Sequence, residues 1–378
     1  DELGELTIVL SLSYCWSSAA HPDPNGNQTR DVARFVKWFV DRNPDKLVVL
    51  FWDWCAFPQD APTTTSCEVV EDEDPDTIFV RRLFGDKNEK EKTLSVPRFL
   101  VKDIENMSEN LKPRSRVEVR LPRTADEKDI FKSGLGDVNL WYANVLVVKL
   151  LLTYLSKEAK GKRPDYNASG WTTFEKHVAR LISDDTRIID MGSLRRTDLD
   201  AVADMYALAA VDTEIADDRM LALNPEQFSQ LIKGYGGKKP KVFTNGSDID
   251  FVVEKYETTY NEVLVANTDL AYAGMYRMKP EEWRRWYSTV LPDLSHLIHL
   301  NLMDNPSLEM DVAAFRSPGN VKALRNLETL VLAHSTAVYG DVEGFAGLRS
   351  LQKLDLYGLC NLTGNVATFS HLNDLLEL

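Results

Sequence analysis

Two hydrophobic rhythms alternate through the first half of the chain. Short unbroken apolar runs at Leu6–Tyr14, Lys46–Phe57 and Val145–Leu152, and a briefer one at Thr186–Met191, read as strands. Lys46–Phe57 shows no alternation, the pattern of a parallel strand covered on both faces. Between these runs apolar residues recur at helical spacing. Val32, Phe35, Val36, Phe39 and Val40 share one face of a helix over roughly Arg30–Asp41, which Asn43-Pro44 stops. Ile130, Phe131, Leu135, Val138 and Trp141–Tyr142 mark a second helix within Pro122–Asn144. In Tyr166–Ile182, Phe174, Val178, Leu181 and Ile182 make the stripe of a third, starting at Phe174. Ser169 and Thr172 are capping types, and Glu175 would sit in the first turn near the positive end of the helix dipole. The order β, α, β, excursion, α, β, α, β predicts an open, mostly parallel α/β sheet.

Other stretches follow different rules. Asp60–Leu121 carries 11 Lys/Arg and 14 Asp/Glu in 62 residues, so it reads as a solvated, charged insertion with some helix around Phe99–Leu111. Arg195–Leu231 is polar and mostly helical in pattern. Asn245-Gly246 predicts a turn into a helix capped by Ser247, with Ile249, Val252, Val253 and Tyr256 on its apolar face. From Leu294 the pattern L-x-x-L-x-x-L-x-L repeats, with copies starting at Leu294, Leu324, Leu348 and Leu372, spaced 30, 24 and 24 residues. That period predicts a short leucine-rich-repeat solenoid whose concave face offers Asn301, Val331 and Asp355. Trp283, Trp286, Tyr287 and Leu291 predict a helical cap over Met278–Leu294. The opening residue is Asp1 and the last repeat is cut at Leu378, so the chain reads as a fragment without its true N-terminus. The expected divisions are 1–265, with 60–121 inserted and 195–265 as a helical extension; 266–293 as linker and cap; and 294–378 as repeats.

Charge narrows the partners. The balance is 44 − 58 = −14, and over 294–378 it is 5 − 9 = −4. Nucleic acid is therefore not expected, and a basic or neutral protein partner is expected for the repeats. No apolar run is long enough to span a membrane. Cys15, Cys55, Cys67 and Cys360 are scattered, which suits free thiols in a reducing, cytoplasmic setting. The six histidines form no metal set; His177, His296 and His299 read as surface or structural. Neither G-x-G-x-x-G nor G-K-[ST] occurs, which argues against ordinary dinucleotide oxidoreductases and P-loop kinases.

Several motifs carry a resemblance: SYCW (Ser13–Trp16), HPDPNG (His21–Gly26), FWD (Phe51–Asp53), PRT (Pro122–Thr124), LWYA (Leu140–Ala143), GWTTFE (Gly170–Glu175) and FTNGSD (Phe243–Asp248). Together they resemble a group of algal and protist proteins that often carry leucine-rich repeats behind. More widely, the N-terminal part resembles a divergent Toll/interleukin-1 receptor (TIR) domain. The serine-rich Ser13–Ser18 and the Trp171-x-x-x-Glu175 spacing occupy the family's places, with Thr172 where the family has Cys. The resemblance implies a flavodoxin-like fold and either a self-associating signalling adaptor or an enzyme that cleaves NAD. No cofactor is implied, NAD being the substrate. Glu175 would then be catalytic, while Ser13, Trp16, Ser17, Asp53 and Trp171 would line the ligand crevice between the first and third strands. A carboxylate there would stabilise oxocarbenium character at the ribose. The bland alternatives are that Glu175 caps its helix, Trp171 packs, and Asp53 accepts a loop hydrogen bond.

Overall fold

The computed structural model describes residues 7–14, 23, 25–52, 65–71, 77–83, 93–97, 113–114, 116–119, 125–155, 160–161, 163–183, 185–195, 197–205, 207–208, 220–243, 246, 248–275 and 278–378. They form an α/β protein with parallel sheets that divides into two units. One holds Asp1–Ser17, Asn25–Trp52 and Val138–Leu378; the other holds Ser18–Pro24 and Asp53–Asp137.

The first unit opens with β1 (Thr7–Tyr14), α1 (Asn27–Arg42) and β2 (Leu47–Phe51). Helix α1 buries Val32, Phe35, Trp38 and Phe39, and Asn43 closes it by donating from Nδ2 to the Phe39 carbonyl at 2.8 Å. The chain then forms β3 (Thr65–Glu71), β4 (Thr77–Arg82), β5 (Thr93–Pro97) and β6 (Arg116–Val119). Helix α2 (Ala125–Ala143) leads back to β7 (Val148–Leu152), α3 (Gly170–Ala179) and β8 (Ile188–Asp190). The first sheet has the order β2-β1-β7-β8, all parallel. At its centre Leu10, Leu12, Leu150 and Leu151 are buried, with Ser13 beside Leu151 and Tyr14 beside Leu152.

Two expectations change here. Strand β2 is not a covered strand, because it forms the edge of the sheet and Leu47 is 60% exposed. An unalternating apolar run fits an edge as well as a centre, since composition does not report which neighbours pair. The charged excursion is not merely solvated chain either. Strands β3 to β6 form an antiparallel sheet in the order β5-β4-β3-β6, with Cys67, Val69, Val80 and Val119 buried. Period-two alternation hides such a face among charges, because every second residue is polar. The helix expected around Phe99–Leu111 lies outside the described residues.

After β8 come α4 (Pro225–Lys233) and α5 (Asp248–Thr259), the latter running on as a π turn over Tyr260–Val265. Asn224 and Gln227 form a reciprocal capping box at the head of α4, and Gly234 ends it in the left-handed region. A second parallel sheet follows, built from β9 (Asp269–Ala271), β10 (His299–Asn301), β11 (Thr329–Val331) and β13 (Lys353–Asp355) in the order β13-β11-β10-β9. The sequence reading had no strand at Asp269–Ala271. It stands one 30-residue step before β10, ahead of helix α6 (Pro280–Thr289), where Trp283 and Trp286 are fully buried. Leu270, Leu300, Leu330 and Leu354 point inward as one column. Across the stack, β12 (Tyr339–Asp341) pairs with β14 (Asn361–Thr363). Asp311, Asp341 and Asn365 each cap a 3-10 turn at the same place in successive copies. Gly340 and Gly364 leave room for the preceding Asp: a Cβ at either would lie 2.4 Å from an Asp oxygen.

Candidate functional site

In a parallel sheet of order 2-1-3-4, the strand order reverses between the first and third strands, and ligands bind beyond their carboxyl ends. Here that edge lies past Tyr14 of β1 and Leu152 of β7. Ser13 is buried there, with its hydroxyl 2.5 Å from that of Tyr166. The Tyr166 carbonyl accepts from the Thr172 hydroxyl at 2.5 Å, so the turn before α3 is fastened to β1. Two motifs distant in sequence, SYCW and GWTTFE, meet through this chain of contacts.

Helix α3 starts at Gly170, a turn earlier than its apolar stripe suggested. Its first N–H donates to the Val242 carbonyl at 2.8 Å, and Val242 donates to Ala168 at 2.8 Å. A Cβ on Gly170 would sit 2.0 Å from the Phe243 ring, so this glycine is required by close packing. Trp171 donates from Nε1 to Asp248 at 3.0 Å and packs against Phe251. GWTTFE and FTNGSD are thus two halves of one joint.

The early start moves Glu175 into the second turn, where it is only 8% exposed and cannot cap the helix. Ser169 occupies the cap position without a side-chain capping bond. Trp16, Ser17 and Asp53 lie outside the described residues. Of the six residues named from sequence, the structure therefore describes Ser13, Trp171 and Glu175. It joins the first to the head of α3, turns the second toward α5, and buries the third.

His177 is also buried, not a surface residue. Nδ1 lies 2.7 Å from the Thr173 carbonyl, the ring meets Phe228 edge-on, and Nε2 has no hydrogen-bond partner. Burial, then nearby Lys176, Lys241 and Arg285, push its pKa down to about 3 against the helping Thr173 bond. The imidazole is therefore neutral, with Nδ1 protonated and donating to the Thr173 carbonyl. Helical spacing alone put His177 off the apolar stripe, but α4 and α5 cover that side as well.

A second polar cluster at the same sheet edge was not named from sequence. Asp190 ends β8 and accepts from the Thr153 hydroxyl at 2.5 Å and the Gly192 N–H at 2.8 Å. Tyr154 donates to Asp31 at 2.5 Å, and Arg195 pairs with Asp31 at 3.1 Å while stacking over the Tyr154 ring. Gln28 donates to the Tyr154 carbonyl at 3.2 Å, and its buried Oε1 has no partner. The one sequence signal was Asp190, a carboxylate closing an apolar strand. The others come from separate segments and share no motif.

Among the described residues no group of His, Cys, Asp and Glu is placed to hold a metal ion, and no helix is long and apolar enough to cross a membrane. No protein-family model, curated protein or solved structure matches the chain.

Proposed function

We propose that this chain is a cytoplasmic sensor or signalling protein. A TIR-like, flavodoxin-like domain (1–265) is coupled to a leucine-rich-repeat recognition module (294–378) through the helical segment 266–293. One observation carries this reading. Strand β9 belongs to the repeat sheet, and the residue after it, Tyr272, donates from its hydroxyl to the Leu181 carbonyl at 2.5 Å and lies 3.1 Å from that of Arg180. A partner seated on Asn301, Val331 and Asp355 would therefore press on a sheet fastened to the end of α3. The exposed free thiol of Cys360 suits a reducing compartment.

The test compares affinity capture by the wild type and by a Val331→Arg variant, with melting temperature as a control. A protein retained by the first and lost by the second, at unchanged stability, supports the recognition role. No such difference would refute it. A second reading, a NAD-cleaving hydrolase gated by the repeats, is favoured by the Ser13–Tyr166–Thr172 chain leading into the helix of Glu175. Nicotinamide release that Glu175→Gln abolishes would favour it over the adaptor role.

A further inference from the structure

The segment between α4 and the head of α3 stands apart in a chain of net charge −14. Lys233–Lys241 reads KGYGGKKPK, and no acidic residue intervenes between Lys233 and Asp248. Residues 235–240 are all exposed, and Tyr235 is 72% exposed.

The loop is built rather than loose. Gly234 and Tyr235 both donate to the Gln230 carbonyl at 3.0 Å, and Lys241 donates back to Ile232 at 2.9 Å, closing the two ends. Gly234 has φ +75 and packs so closely under Pro240 and Lys238 that a Cβ would lie 2.4 Å from the Pro240 nitrogen. Gly236 and Gly237 also have positive φ, with nothing near a notional Cβ, so their backbone is open to close approach from outside.

Its cations divide into two kinds. Lys233 pairs with Asp250 at 3.1 Å, and Lys241 donates to the Asn167 carbonyl. Among the described residues, Lys238 and Lys239 have no ion-pair or hydrogen-bond partner for their ammonium groups. The N–H groups of Gly236, Gly237 and Lys239 likewise donate to no backbone oxygen. Two uncommitted ammonium groups beside open N–H groups suit a compact anion with several acceptor oxygens.

We propose that the loop Gly234–Pro240 is a docking surface for a phosphorylated segment of a protein partner. Lys238, Lys239 and the N–H groups of Gly236 and Gly237 take the phosphate, and Tyr235 packs on the flanking peptide. A phosphate ester brings nearly two negative charges and three acceptor oxygens to one point, which a single carboxylate does not. A nucleic acid would need a broad basic face, and an anionic membrane would need more than two lysines. The closed loop lowers the ordering cost of binding. The loop lies outside residues 294–378.

The experiment uses the full chain in fluorescence anisotropy. The probe is a peptide pool degenerate around one fixed phosphoserine, compared with the same pool carrying serine or glutamate. The phosphoserine pool should bind at least about tenfold more tightly than either, more weakly as salt rises. Lys238→Ala/Lys239→Ala should lose at least about tenfold at unchanged melting temperature, while Lys238→Arg/Lys239→Arg should retain binding. Equal affinity for the glutamate pool, unchanged binding by the alanine variant, or tighter binding to phosphatidylserine vesicles or single-stranded DNA would each overturn the proposal.

Discussion

The first unit contains two four-stranded parallel sheets held together by different means. In β2-β1-β7-β8 the ties are single and reach far along the chain. Ser13 meets Tyr166 across 153 residues, Tyr142 donates to the Leu12 carbonyl at 2.9 Å, and Asn139 donates to Thr259 at 2.8 Å. In β13-β11-β10-β9 the ties recur. Asn305 holds Leu302, Tyr272 and Met275, and Ser335, one copy later, donates to the same Leu302 carbonyl. Left-handed backbone returns at Gly274, Asp304, His334 and Gly358. A periodic stack reuses one local solution, whereas the first sheet depends on contacts that occur once. The repeats are therefore sensitive to steric register, and the first sheet to the loss of individual polar groups.

The largest expected effect lies at the junction of the two. Trp286→Ala empties a fully buried site beside Tyr272 and Trp283, and should cost about 3–5 kcal/mol by chemical denaturation. If the two sheets were independent, a separate transition would appear with one sheet unaffected.

Next comes steric register. A Cβ at Gly344 would lie 2.4 Å from the Val312 carbonyl oxygen, which is backbone and cannot swing away. Gly344→Ala should cost about 3 kcal/mol, and a loss near zero would show that the stack slides freely.

The third contrast is pH. His177 sits at about 3, below its ordinary 6.5, chiefly through burial. The folded state binds this proton less tightly than the unfolded chain, so protonation favours unfolding. Its contribution is complete above about pH 6.5 and is lost as pH falls toward 3, at up to about 1.4 kcal/mol per pH unit. His177→Leu should flatten that part of the stability profile, and an unchanged slope would place the acid sensitivity elsewhere.

The smallest effect tests a single tie. Tyr166→Phe leaves Ser13 buried without its partner and should cost about 1–2 kcal/mol. A neutral result would mean that Ser13 finds another acceptor.

The same contrast explains what could be read from sequence. The leucine period located β10, β11 and β13 within a residue or two, because each copy reports its own environment. It missed β9, which has Asn267 and Tyr272 at two of the pattern's leucine positions. All four strands of the first sheet were legible as apolar runs, but the exposure of β2 was not, since edge or centre depends on distant pairing. At the candidate site, Ser13, Trp171 and Glu175 were legible as residues. Their surroundings were not: Tyr166, Asp248 and Phe243 act across turns that no local period encodes. Glu175 looked like a cap because the stripe begins at Phe174, whereas Gly170 starts the helix a turn earlier through its bond to Val242.

Native-state hydrogen exchange on a Leu330→Ala variant tests whether the repeat sheet and the helix bearing Glu175 form one cooperative body joined at Tyr272. Leu330 is fully buried in the repeats and far along the chain from α3. Protection of the Phe174–Ala179 amides should fall together with that of the repeat strands, by the same free energy. Loss of protection confined to the repeats, with α3 as in the wild type, would contradict it.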